Sequence, residues 1–345
     1  MRKRFTNILH HKANHILILV AFFFARQVQA QLFPNLGGQR AGISAITFLK
    51  NDISPRSTAM GGANVATDGD GYSILNNPAG AVDNKYLNTT LSNMFYAAGL
   101  NQTYLGVTYP TENKGAILGS LNYLTPGAME VRTEFQPMGT GQMFQANAYN
   151  LGLGYAKSLS SMFSFGVFAK YIRETLAEYR SGSVAVDLGF LYRTDWKDLK
   201  FAVAVQHFGG NTITKGSQLP VTFNRQNGVQ LDNYPMPTLF KMGVSMVPWK
   251  VEGQSLMITA QLNHPADNAE NIRLGAEYNF EKLLFLRAGY KINVFGEKLP
   301  TAGVGLRHRV GRHPFMIDYG VNPTQFLGIY HTVGFSFLFN NQDRE

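Results

Sequence analysis

Asn271-Ile272-Arg273-Leu274-Gly275-Ala276-Glu277-Tyr278-Asn279-Phe280 alternates without a break. Successive side chains of a strand point to opposite sides, so Ile272, Leu274, Ala276, Tyr278 and Phe280 share one face. Arg273, Gly275, Glu277 and Asn279 share the other. Val184, Val186, Leu188, Phe190 and Tyr192 repeat the pattern against Asp187, Gly189 and Arg193. Leu256, Ile258, Ala260 and Leu262 do the same against Thr259, Gln261 and Asn263. The period identifies strands and leaves the fold open, because a soluble sandwich with one wet face shows the same alternation.

The connections carry the decision. Between residues 86 and 339 such segments centre on Leu91, Gly106, Gly119, Leu151, Val167, Leu188, Val203, Met242, Ile258, Ala276, Ala288, Val304, Ile317 and Phe335. This predicts about fourteen strands, near the middle of the range for outer-membrane barrels. The turns after even-numbered strands are short, at 110–114, 157–161, 194–199, 247–254, 281–282 and 311–312. The odd-numbered connections include long ones at 125–145 and 209–234, and medium ones at 174–182 and 293–299. Outer-membrane barrels have short periplasmic turns and longer outer loops, whereas a sandwich has no reason to sort its loops by parity. Trp196 and Trp249, the only tryptophans, fall in the short-turn set, where a water–lipid boundary would hold them. The predicted fold is therefore all-β: a transmembrane antiparallel barrel of about 14 strands.

The chain has 345 residues and no cysteine, which excludes disulfides and an acylated N-terminal cysteine. Residues 1–30 read as a signal peptide. Arg2, Lys3, Arg4 and Lys12 form a basic start, Ile16–Phe24 an apolar run, and Val28-Gln29-Ala30 the small-residue site for cleavage between Ala30 and Gln31. The apolar run is too short to span a bilayer, and no later run approaches the roughly 20 residues of a membrane helix. Five cations leave with the leader, Arg26 among them, so the formal charge falls from +9 to +4. That balance gives no support for nucleic acid as a partner. The mean hydropathy of −0.12 fits a barrel, because half of each strand faces away from lipid.

Residues 31–85 do not read as barrel strands. They are rich in Gly, Ala, Ser and Asn, with a short helix expected near 43–49 and a turn at 51–55. Eight strands leave a lumen that side chains fill, and sixteen or more leave an open channel, so an intermediate barrel needs a plug to prevent leakage. Small residues allow close backbone approach, and Gly61, Gly62, Gly69, Gly71 and Gly80 are expected to supply unusual backbone angles. Pro78 fixes its own backbone and restricts Asn77 to extended geometry. Residues 31–85 are therefore expected to form a plug, residues 86–339 the barrel, and 340–345 a C-terminal tail.

Phe48-Leu49, then Pro55-Arg56-Ser57-Thr58-Ala59-Met60-Gly61-Gly62-Ala63-Asn64-Val65-Ala66, then Asn77-Pro78-Ala79-Gly80, resembles the N-terminal signature of the PorV/PorQ family. The Asn-Pro-Ala-Gly element is shared with FadL-type fatty-acid transporters. Within that signature the residues expected to make the plug motif are Arg56, Met60, Gly61, Gly62, Asn77, Pro78, Ala79 and Gly80. The last strand ends Thr332-Val333-Gly334-Phe335-Ser336-Phe337-Leu338-Phe339, and Thr332, Gly334, Phe337 and Phe339 resemble an outer-membrane assembly signal. The resemblance implies a 14-stranded plugged barrel in the cell outer membrane. It also implies a place in the type IX secretion system of Bacteroidetes. PorV-like members cap a large translocon barrel and carry substrates, through their C-terminal domains, to an attachment complex that includes PorQ-like members. The outer loops here are shorter than those expected of a full PorV.

Enzymatic and metal chemistry is weakly represented. Asp68-Gly69-Asp70-Gly71 hints at a calcium loop, but Tyr72 stands where such a loop needs Asp or Asn. His207, His264, His308, His313 and His331 are scattered over different strands and turns, so neither a metal site nor a cofactor is expected. No serine stands in a recognisable nucleophile context. Gly152-x-Gly154 and Gly303-x-Gly305 lie within strands, where glycine eases curvature or inward crowding. Arg273, Glu277, Arg287, Lys291, Arg307 and Arg309 fall on polar faces and are expected to line the lumen, as a wall of paired charges, as a solute path or as a grip on the plug. Two functions remain open. One is a non-enzymatic secretion component that binds proteins through the loops at 125–145 and 209–234. The other is a FadL-like channel for hydrophobic small molecules, and a purely structural membrane protein is the third reading. Outer-membrane lipid is expected around either.

Overall fold

The computed structural model describes residues 42–112, 114–216 and 233–339. The leader with its Ala30–Gln31 cleavage site, residues 31–41, the tip of the loop at 217–232 and the tail at 340–345 lie outside the described residues.

Fourteen long strands form the wall. In chain order they are β1 (Leu87–Phe95), β2 (Asn101–Thr111), β3 (Gly115–Thr125), β4 (Met143–Ser158), β5 (Phe163–Leu176), β6 (Tyr179–Arg193) and β7 (Lys200–Gly209). The second half is β8 (Leu239–Val251), β9 (Gln254–Pro265), β10 (Asn271–Phe280), β11 (Leu284–Ile292), β12 (Thr301–Val310), β13 (His313–Pro323) and β14 (Ile329–Phe339). Each pairs antiparallel with its neighbours in sequence, and β1 pairs with β14 from Leu87↔Phe339 to Phe95↔His331, which closes the ring. Two short strands, Ala128–Glu130 and Ile213–Lys215, extend hairpins beyond the wall by pairing with β4 and β6.

The distribution of burial is inverted relative to a water-soluble protein. Asn88, Gln102, Asn122, Asp187, Gln206, Gln261, Glu277, Arg287 and Asp318 are buried, while Leu91, Leu153, Phe190, Phe201, Leu274, Leu286 and Phe335 are exposed. Charged groups inside and bare apolar side chains outside fit a wall that faces lipid. In β10, Leu274 and Phe280 are exposed, and Glu277 is buried.

Two expectations about connections need correction. The link predicted as a medium loop at 174–182 is a tight turn, because β5 and β6 remain paired up to Leu176↔Tyr179. Pairing continues through Thr175↔Arg180, and Ala177 takes a left-handed φ of 53° in the two-residue reversal. Trp249 lies in β8 rather than in a turn, and its ring stacks on Tyr278 at 6.3 Å.

Residues 42–86 contain only short helical pieces. The helix expected at 43–49 is a 3-10 turn at Thr47–Lys50, and Pro55–Ala59 forms one α-helical turn unforeseen from sequence. Pro55 occupies the first helical position, where its missing N–H costs no hydrogen bond, and Ser54 Oγ accepts from the Ser57 N–H at 3.3 Å. Ser73–Asn76 and Pro78–Asp83 follow as further short turns.

Candidate functional site

The segment before β1 packs against the inner face of the wall. Ile46, Phe48 and Leu49 share an apolar cluster with Ala148, Ile172 and Ala185. Val65, Ala66 and Ala79 meet Leu191, Ala202 and Ala204, and Ile74 and Ala81 meet Ala116, Leu118 and Phe168. The wall makes room with inward glycines. A Cβ on Gly166 would lie 2.6 Å from the Pro78 carbonyl carbon, one on Gly275 2.9 Å from the Met60 oxygen, and one on Gly320 2.5 Å from the Pro55 oxygen. Gly303 faces Ala59, which is the inward crowding expected there, whereas Gly152 and Gly154 accommodate the ring of Phe168.

Arg56 is the polar centre of this contact. Its Nε and Nη2 donate to the two Glu277 carboxylate oxygens at 2.9 and 2.8 Å, and Nη1 donates to Asp70 at 2.9 Å. The fork matches a carboxylate bidentately, an arrangement available to arginine and not to lysine. Arg287 continues the chain, donating to Glu277 at 2.6 Å and to Asp318 at 2.5 Å. Burial works against the Arg56 charge, but Glu277 and Asp70 outweigh it and raise its pKa further. A second network lies towards the short turns. Asp68 pairs with Lys200 and with Arg193 Nε, and Arg193 also pairs with Asp83. Burial alone would raise the Asp68 pKa, but Lys200 and Arg193 hold it below the ordinary carboxylate range. Asp83 moves the other way, to about 6, pushed by burial and by the charge of Asp68 against the pull of Arg193. Asp68 and Asp70, the acids of the calcium-like run, are thus both committed to cations.

Asn77 explains the Asn-Pro-Ala-Gly element in physical terms. Its Oδ1 accepts from the Ala79 N–H at 3.0 Å and caps the turn that Pro78 begins. Its Nδ2 donates to the Val65 carbonyl at 3.0 Å and across to the Phe190 carbonyl of β6 at 3.1 Å. A Cβ on Gly80 would stand 3.0 Å from the Thr67 carbonyl oxygen. Met60 is fully buried. Gly61 has φ +66°, and a Cβ there would be 3.0 Å from the Tyr290 nitrogen, while Gly62, at φ +79°, lies against the Arg273 guanidinium.

The other sequence candidates divide by face. Lys291 pairs with Glu297, and Arg307 lies over the Phe285 ring at 5.0 Å. Arg309 is exposed, beyond these buried pairs. Thr332 and Gly334 turn inward, Thr332 Oγ1 lying 3.4 Å from Thr58 Oγ1, whereas Phe337 and Phe339 meet edge-on at 4.6 Å on the outer face. His207 Nδ1 lies 2.9 Å from Lys170 Nζ, and Lys170 pairs with Asp187 at 2.6 Å, so this histidine belongs to the wall. Gln261, placed on a polar face by the sequence but given no role there, accepts from the Val65 N–H at 2.8 Å, and Gln206, which sequence reasoning missed, donates to the Leu75 carbonyl at 2.7 Å. Both are inward polar residues at mid-strand, and that placement was the available signal.

Among the described residues, cavities remain between segment and wall. One of about 60 Å³ is lined by Asp52, Lys170, His207, Lys241 and Arg273, and one of about 150 Å³ by Arg56, Asp70, Glu277, Arg307 and Asp318.

Fold and interior together define a closed membrane barrel with a charged lumen. Residues 36–209 match the family described as type IX secretion system protein PorV, half of the chain, and the chain belongs to that family. Among solved structures it is similar to the Ralstonia pickettii toluene transporter TbuX, at TM-score 0.56 and 12% identity over 83% of this chain and 98% of that one. The Pseudomonas putida toluene transporter TodX gives 0.54 and 12% over 82% and 97%. The monoaromatic hydrocarbon channel CymD gives 0.53 and 12% over 84% and 98%. At such identities the likeness is one of fold. No curated protein sequence matches the chain.

Proposed function

We propose that this barrel resides in the outer membrane and serves type IX protein secretion by binding other proteins, with residues 42–86 acting as the plug that closes its bore. The partners would be secretion-system components, such as a large translocon barrel or an attachment complex, or the C-terminal domains of secreted substrates. Family membership over residues 36–209 carries this reading. The ion-paired lumen supports it, because a barrel filled in this way acts through its surface. The surface at the long-loop end offers bare apolar groups: Phe135 is 94% exposed, Met138 88%, and Phe295 and Phe326 stack on each other at 5.6 Å. Exposed apolar clusters of this kind suit protein contacts. The test is gentle solubilisation of the native complex together with a deletion strain. A secretion-system protein should co-purify, and secretion should stop in the deletion. Purification alone combined with normal secretion would remove the reading.

The fold shared with proteins named as toluene transporters favours a second reading, passage of hydrophobic small molecules. Against it stand the small size and charged lining of the two described cavities. Uptake of a labelled monoaromatic compound that depends on this chain would favour the second reading over the first.

A further inference from the structure

We propose that the outer wall of β3–β6 is a binding site for one phosphorylated glycolipid of the outer leaflet, of the lipid A class. The proposal rests on the outer-membrane reading above, with the long loops outside. Two grooves on this face share Tyr171 and Val184: an apolar one of about 620 Å³ nearer mid-wall, and one of about 760 Å³ reaching beyond the membrane edge. Strand register arranges their residues in rows. Gly119, Leu153 and Ala169 lie side by side, then Leu121, Leu151, Tyr171 and Val184. Tyr149, Arg173, Gly182 and Ile213 form the next row, and Thr175, Arg180 and Lys215 the last. Rows on one face are two residues apart, about 7 Å. The cations therefore stand directly above the apolar channel, within reach of phosphates carried on a sugar headgroup whose acyl chains fill that channel.

The floor of the channel is small without any packing reason. A Cβ on Gly119 would meet nothing nearer than Leu153 Cδ2 at 3.8 Å, and one on Gly182 nothing nearer than the Ile172 oxygen at 3.4 Å. Most inward glycines of this wall, by contrast, are pressed by the luminal segment or a neighbouring ring. Beside this narrow floor, Leu153 is 73% and Val184 60% exposed, leaving walls for acyl chains. Among the described residues, Arg173, Arg180 and Lys215 form no ion pair. Guanidinium groups bind phosphate oxygens in forked pairs, and each cation at a membrane surface adds attraction for anionic lipid. An apolar trough beneath three cations is complementary to a molecule with acyl chains under a phosphate, and that complementarity selects lipid over protein as the occupant.

Native mass spectrometry of the detergent-purified mature protein tests this, with lipid A, enzymatically dephosphorylated lipid A and phosphatidylglycerol as probes. One lipid A should be retained at least tenfold more tightly than either control. The combined R173S, R180S and K215S variant should lose that preference. Gly119→Leu, which the open floor tolerates, should lower lipid A retention with the cations intact. Heat-modifiable migration on a gel verifies that each variant keeps its barrel. Equal retention of all three lipids, or no effect of the triple substitution, would overturn the proposal, as would a second polypeptide held at this face and released by the same substitutions. Because binding is read on purified protein, its failure is distinct from failure of the secretion role, which the deletion strain reports.

Discussion

At the scale of single residues, the junction of segment and wall depends on a few charges. Removing one member of a buried ion pair leaves the other uncompensated and costs about 3–5 kcal/mol. Arg56→Met should therefore loosen residues 55–66 from the wall, with faster amide exchange there and unchanged exchange in β3–β5. Glu277→Gln should do the same in part, because the amide oxygen can still accept from Arg56 while Asp70, in the same segment, keeps the Arg56 charge compensated. Equal protection in parent and Arg56→Met would show that the ion pair does not hold the segment. Asp83 gives a pH dependence of defined sign. Its folded pKa of about 6 lies above the ordinary 3.8, so the native state favours the protonated form. The resulting loss of stability is absent below about pH 4, grows as pH rises, and is complete above about pH 6. Protection of residues 78–86, corrected for intrinsic exchange rates, should fall across that window, and Asp83→Asn should flatten the profile. Arg56 and Glu277 could each be placed on a polar face from sequence. Their partnership could not, because 221 positions separate them and neither local periodicity nor motif spacing reports a contact of that range.

Elements were legible where one physical rule governed them. All fourteen strand centres follow from period-two alternation, because lipid outside and polar groups inside constrain both faces of every strand. The β5–β6 reversal escaped because Glu174, Arg180 and Ser181 read as loop, while the backbone stays paired up to Leu176↔Tyr179. The short helices escaped for a related reason. A single turn of 4 or 5 residues has no periodicity to detect, and it persists here through caps and contact with the wall. Gly61→Val tests that contact. The new side chain meets both a left-handed backbone and the Tyr290 main chain, so the segment should shift while the barrel, whose strands are untouched, still inserts. Dye or large-antibiotic permeability should rise, and unchanged permeability with a shifted segment would argue that the bore is closed elsewhere. Asn77→Ala removes a cap worth about 1 kcal/mol and two further hydrogen bonds, with a smaller effect in the same direction.

For the molecule as a whole, the balance of faces decides the class. A chain that buries Asp187, Glu277, Arg287 and Asp318 while exposing Leu153, Phe190 and Phe335 is stable only with lipid around it. The protein should accordingly require detergent at every stage, and a fully active form free in buffer would contradict the architecture. Sequence could foresee the barrel at this scale because loop parity is a global property written along the whole chain. It could not foresee the outer trough, because a groove forms only when residues from four strands come into register.

The pairing of β1 with β14 has a temporal consequence. The stretch ahead of β1 is made first, yet the stave that seals the cask is made last. Once that final seam is sprung shut nothing slips in between staves, and whatever occupies the bore is aboard beforehand or enters by a mouth of the cask. Biogenesis of this protein is therefore a question of route, set by when the seam closes.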